Sequence, residues 1–156
     1  MNFVQEIDAL QRWLFKTAGL RSYQLSEAPP KVARPVVLWE IPSRSSGRYW
    51  DNYTRLKTAA QYGKLYVQNL QEYGELISKL EQDLHDKMNE IPVYETSDAS
   101  ASIIGYLIDV DLETSTAQNL DVPIVVRYNA VHEREQPELP GPATAVHSRV
   151  IVKPIN

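Results

Sequence analysis

The chain contains no cysteine, and that single absence removes disulfides, thiolate metal sites and cysteine nucleophiles together. Glycine is scarce, six in 156 residues, which leaves little for a loop that cradles phosphate. Neither the GxxxxGK pattern nor the GxSxG elbow occurs. No apolar run approaches the roughly 18 residues that span a bilayer. The first ten residues carry Glu6 and Asp8 where a signal peptide places a basic and then an apolar segment. The expectation is a soluble chain that is not exported. Basic runs are missing too: 16 Lys and Arg face 20 Asp and Glu, a balance that argues against tight, sequence-independent nucleic-acid binding.

What is present suits one domain, residues 1–156, large enough for a real core and too short for two comfortable ones. The longest periodic stretch is NLQEYGELISKLEQDLHDKMNEI, residues 69–91. Its apolar residues Leu70, Tyr73, Leu76, Ile77, Leu80, Leu84, Met88 and Ile91 recur in steps of three and four, which predicts one helical stripe facing a core. Asn69 is placed to cap it, Glu72 stands in the capping-box position, and Pro92 is the expected stop. A first amphipathic helix is expected from about Asn2 to Ala18, with Gly19 ending it.

Between the helices the period changes. YQLSEAPPKVARP, with Pro29, Pro30 and Pro35, reads as a connecting loop, and Val36–Ile41 as a strand. SRSSGRYWDN reads as a protruding hairpin arm or surface loop, and Tyr53–Val67 as a strand in which Gly63 marks a bulge. After the long helix, Tyr106, Ile108, Val110 and Leu112 alternate with Leu107, Asp109, Asp111 and Glu113, a half-buried strand. Residues 121–131 form its hairpin partner. Residues 135–156 read as a Pro-rich loop followed by a terminal strand or extended tail. The fold class that follows is α+β: a mostly antiparallel sheet of four to five strands, with the N-terminal helix and one long central helix packed on one face.

Two constellations bear on function. Asp109, Asp111 and Glu113 lie two apart, so a strand aims three carboxylates at one side, a set that suits Mg²⁺ or Ca²⁺; the plainer reading is a solvated strand face. Arg48, Tyr49, Trp50, Tyr53 and Arg55 form an Arg-aromatic mixture that can stack on a nucleic acid or anchor a protein partner, protein contact being favoured in a chain of net charge −4; the plainer reading is a folded hairpin without a partner. The histidines, His85, His132 and His147, have no zinc-site spacing and are expected at surface or boundary positions.

The order of elements, and the stretches RPVVLWEIPSRSSGRYWDN, QYGKLYVQNLQEYGELISKLEQDL and IDVDLETSTAQNLDVPIVVRYNAV, resemble the tail-terminator, or tail-completion, proteins of tailed bacteriophages over essentially the whole chain. The resemblance rests on element order, size and local texture. It implies a structural virion protein without catalytic residues, metal or cofactor. It implies a homo-oligomer, a hexameric ring that caps the tail tube and ends its elongation. The partners implied are the tail tube protein, the head-tail connector or stopper protein, and the sheath protein if the tail is contractile. DNA passes through such a ring without specific binding, and no membrane is involved. The implied location is the tail-neck region of the virion, with assembly in the host cytoplasm. The alternatives are another head-tail joining or neck protein, or a metal-dependent hydrolase using Asp109, Asp111 and Glu113.

Overall fold

The computed structural model describes residues 1–49 and 51–133. Trp50 and the C-terminal segment, with the Pro-rich loop and terminal strand expected there, lie outside the described residues. The order of elements is α1 (Phe3–Ala18), β1 (Arg21–Gln24), β2 (Val36–Trp39), β3 (Ser43–Tyr49), β4 (Thr54–Tyr66), α2 (Leu70–Asp86), β5 (Ile91–Tyr94), β6 (Ile103–Thr114) and β7 (Asp121–Glu133).

Both helices begin as their sequences dictate. The Asn2 side chain accepts from the Gln5 N–H at 3.0 Å, and the Gln5 side chain accepts from the Asn2 N–H at 2.8 Å, a reciprocal capping box. Gly19 takes φ +64 and closes α1 in the left-handed region. Asn69 accepts from the Glu72 N–H at 2.8 Å, while the Glu72 carboxylate reaches back to the Gln68 N–H at 2.9 Å.

The end of α2 corrects the sequence reading. The helix ends at Asp86, five residues short of the expected Ile91, because Met88 and Asn89 both adopt positive φ and the Asn89 N–H closes on the Leu84 carbonyl at 2.8 Å. Met88 is thereby exposed instead of packed. Pro92 does not stop a helix. It sits in β5, at the edge of the sheet, where a residue without an N–H removes no ladder bond from the interior.

Among the described residues the sheet has seven strands, in the order β1-β2-β4-β7-β6-β5 with β3 pairing β4 off that path. That exceeds the four to five expected, because β1 and β5 are four-residue strands; of the two readings of residues 43–52, hairpin arm or surface loop, β3 takes the first, paired with β4. β1 and β2 run parallel, and the other pairs are antiparallel. Gly63 marks no bulge: β4 keeps register through it against both neighbours. A Cβ there would lie 2.5 Å from the Leu38 carbonyl oxygen and 2.7 Å from the Trp39 ring, so the glycine admits close approach of β2. The irregularities fall instead in β3, between Ser45 and Arg48, and in β6, between Ile108 and Asp111.

One cluster forms the core. Leu10, Trp13, Leu14, Leu76, Leu80 and Leu84 of the helices meet Trp39, Leu65, Leu107, Val110, Ile124 and Val126 of the sheet. The Trp13 indole N–H donates to Asp83 at 2.7 Å and ties the helices together. The β6 bulge explains why Leu107 and Val110 are both buried, three apart, while Tyr106 is exposed. The alternation read from the sequence assigned Tyr106 and Ile108 to the apolar face with Val110; one extra residue reverses the facing of everything before it.

Candidate functional site

The residues singled out from the sequence for protein contact stand together at the tip of the β3–β4 hairpin. Asp51 builds the turn: its carboxylate accepts from the N–H groups of Tyr53 and Thr54, both at 2.7 Å. Those donors favour its charged form and hold its pKa below the ordinary carboxylate value. In β3, Gly47 has φ +72, and a Cβ there would lie 1.6 Å from the Leu56 carbonyl oxygen, so only glycine fits the twist.

Tyr49 and Tyr53 are each 62% exposed, and Arg48 is exposed. Tyr49 pairs with Arg55 across the ladder, and the Arg55 guanidinium lies 4.8 Å from the Tyr49 ring centre. Arg48 pairs with Leu56 one residue away, on the opposite side of the hairpin, and borders a shallow recess with Ile108 and Asp109. Four of the five expected contact residues therefore stand at the hairpin tip, Tyr49 and Arg55 stacked on one side and Arg48 on the other, and the fifth, Trp50, lies outside the described residues.

The base of the same hairpin holds a group that the sequence reading missed. Glu6 of α1 is fully buried. Its carboxylate is gripped by the Arg44 guanidinium of β3, stands 2.8 Å from His132 Nε2, and accepts the Tyr128 hydroxyl at 3.3 Å. Arg44 also lies over the Phe3 ring at 4.5 Å. Burial, and then the Glu6 charge, push the Tyr128 phenol well above its usual value. Burial lowers His132 from its ordinary 6.5; the Glu6 carboxylate pulls the other way, while Lys57 and the N-terminal ammonium add to the lowering. His132 is thus a boundary histidine, and β7, which runs two residues past the expected end, carries its ring inward. A signal was available: Phe3, Glu6, Leu10 and Trp13 share helical spacing, so a carboxylate sat within an apolar stripe.

The three carboxylates of β6 are exposed together on the sheet face that the helices leave uncovered. Asp109, at φ +51 in the bulge, accepts from the Asn129 side chain at 2.9 Å, and Glu113 pairs with Arg127. Glu113 raises the Arg127 pKa. Two of the three are engaged by β7, and among the described residues no group of three His, Asp or Glu is placed to hold a metal ion. No helix among those residues is long and apolar enough to cross a membrane.

No protein-family model matches the chain, and no curated protein is found similar to it.

Proposed function

We propose that this chain is a structural assembly protein whose copies join through the hairpin tip into a closed ring, in the manner of the phage tail-terminator proteins it resembles. In that role the ring is a hexamer in the tail-neck region of the virion. It caps the tail tube, ends its elongation and meets the head-tail connector or stopper on its other side, with the sheath as a further neighbour in a contractile tail. The observation that carries the reading is the hairpin tip. Tyr49, Tyr53 and Arg48 are exposed there at the end of the sheet, where β4 is flanked by β3 and β7, and such residues anchor protein interfaces. A closed ring needs a heterologous contact, one patch against a different patch. Asp111, exposed on the uncovered sheet face, offers the opposite charge to Arg48.

The reading assigns no catalysis to the chain. It assigns no grip on DNA either, since gripping phosphate takes several Lys or Arg contacts per site and the chain carries net charge −4. Negative-stain images of the purified protein test it: closed six-fold rings with an open centre support it, and a monodisperse 17.8 kDa species at high concentration overturns it. Duplex DNA titrated at about 50 and 200 mM salt gives the second readout. Binding that is tight at the lower salt and collapses at the higher marks a basic lumen and contradicts the free-passage part of the proposal.

A further inference from the structure

Between Leu20, which has no exposure, and Val36, 3% exposed, no residue of the chain is buried. The stretch holds β1, a short 3₁₀ turn (Leu25–Glu27) and a loop with Pro29 and Pro30. Its two ends are fixed. Leu20 belongs to the core, while the Arg34 guanidinium donates to the Val67 carbonyl at 2.9 Å and pairs with Asp121 at 3.0 Å. The Arg34 carbonyl in turn accepts from the Gln68 side chain at 3.1 Å. Between those anchors, among the described residues, the stretch joins the sheet through β1 alone, by four residues in parallel register with β2. Parallel pairing is the slightly weaker kind per residue.

The side of β1 that faces the core is polar. Register sets Ser22 beside Val37 and Gln24 beside Trp39, and those two β2 residues are core positions at 0% and 1% exposure. Neighbours across a ladder share a face, so a hydroxyl and an amide stand where β2 places apolar side chains. Ser22 Oγ, Gln24 Nε2 and the Trp39 indole nitrogen are buried without a hydrogen-bond partner among the described residues. Each such group has given up water without a replacement bond, and opening β1 returns that water to Ser22 and Gln24. The strand thus brings few gains to offset the cost of ordering it, the condition under which a segment opens locally.

From these observations we propose that residues 21–33 form a hinged flap, which swings away from β2 between the anchors at Leu20 and Arg34 while the rest of the sheet stays folded. In the open form the β2 backbone that faced β1 becomes an unpaired edge, the form in which one strand adds to another. The flap is a guard on that edge, and ring formation is not required for it. Because the chain has no cysteine, a single introduced thiol reports opening. Ser22→Cys places one at a buried atom of the flap, and Ala59→Cys places one in β4 at a position 4% exposed. Both full-length variants are labelled with an aryl disulfide under native conditions, after circular dichroism shows that each is folded. The Ser22→Cys thiol is expected to react at least about 100-fold faster, since local opening is more frequent than the global unfolding that Ala59→Cys requires. Equal rates overturn the proposal. Adding Gln24→Met to Ser22→Cys replaces the unpartnered amide by an apolar chain of similar length, and labelling then slows about tenfold. A rate unchanged or raised by Gln24→Met overturns the part assigned to the polar face. Hydrogen exchange of the wild type gives a readout without any variant: amides of β1 that bond β2 exchange while the β4–β7 ladder stays protected. Protection of β1 equal to that of the ladder overturns the flap.

Discussion

The two ends of the β3–β4 hairpin place similar residues under opposite conditions. At the base, Arg44 reaches inward to a carboxylate with no exposure to water and is joined by Tyr128 and His132. At the tip, Arg48, Tyr49 and Tyr53 remain exposed and Arg55 is half-buried, with one cation-aromatic contact among them. The base fastens α1 to the sheet through charges that are costly to separate. The tip offers large side chains whose burial awaits another surface. A charged or aromatic residue around the hairpin thus takes its role from whether it reaches the Glu6 carboxylate, and the two groups respond differently to substitution.

The helix and sheet on which the hairpin stands are the first thing to break. Leu80 is fully buried at the centre of the α2 stripe. Leu80→Asp puts an unpaired charge there at a cost of several kcal/mol against a total stability of roughly 5–15 kcal/mol. The expected outcome is loss of cooperative thermal unfolding and of assembly together; an unchanged melt would mean that α2 is not packed on the sheet.

Next in size is the base. Glu6→Ala leaves Arg44 without its carboxylate and the Tyr128 hydroxyl without its acceptor. Removing one partner of a buried pair costs about 3–5 kcal/mol, and the partial exposure of Arg44 puts the effect near the lower figure. A fall in Tm of roughly 10 °C is expected. The double variant Glu6→Leu with Arg44→Met recovers part of it, because matched apolar replacements remove both desolvated charges. If the double variant is as damaged as the two single variants added together, the pair is not coupled and the base is misread.

At the tip the expected stability effect is small. Tyr49→Ala with Tyr53→Ala removes exposed rings and one cation-aromatic contact worth about 0.5–1 kcal/mol, so Tm moves by only a few degrees while self-association weakens.

The smallest effect is the pH response of the base. Burial holds His132 below its unfolded value of 6.5, so as pH falls beneath about 6.5 the unfolded chain binds a proton that the folded chain still refuses. Stability is then at its plateau above that pH and declines below it, until pH reaches the folded pKa. Melts between about pH 7.5 and pH 5 should fall in this sense, and less steeply for His132→Gln. A melt that rises on acidification would mean that the Glu6 carboxylate outweighs burial.

How far the sequence spoke depended on the range of the interaction. Local signals were legible: the cap at Asn69, the glycine end of α1, the α2 stripe through Leu84 and the β6–β7 hairpin each rest on residues within a few positions of one another. The end of α2 was not, because Pro92 was as compatible with an edge strand as with a helix stop, and only pairing with Tyr106 decides between them. The facing of β6 was lost to a single bulge at Asp109, which leaves no compositional mark. The tip was legible as a concentration of Arg and Tyr, whereas the base joins Glu6 to residues 38, 122 and 126 positions away. Each of those, taken alone, passes for a surface charge or an ordinary strand residue.

The most direct test of the division between fastening base and contacting tip is the solution mass, by light scattering, of wild type beside Tyr49→Ala with Tyr53→Ala, at matched concentration and with circular dichroism recorded on both. The prediction is a wild-type assembly several times 17.8 kDa and a smaller species for the variant, with the helical signal unchanged. A wild type that stays at 17.8 kDa, or a variant that assembles as well as wild type, would contradict it.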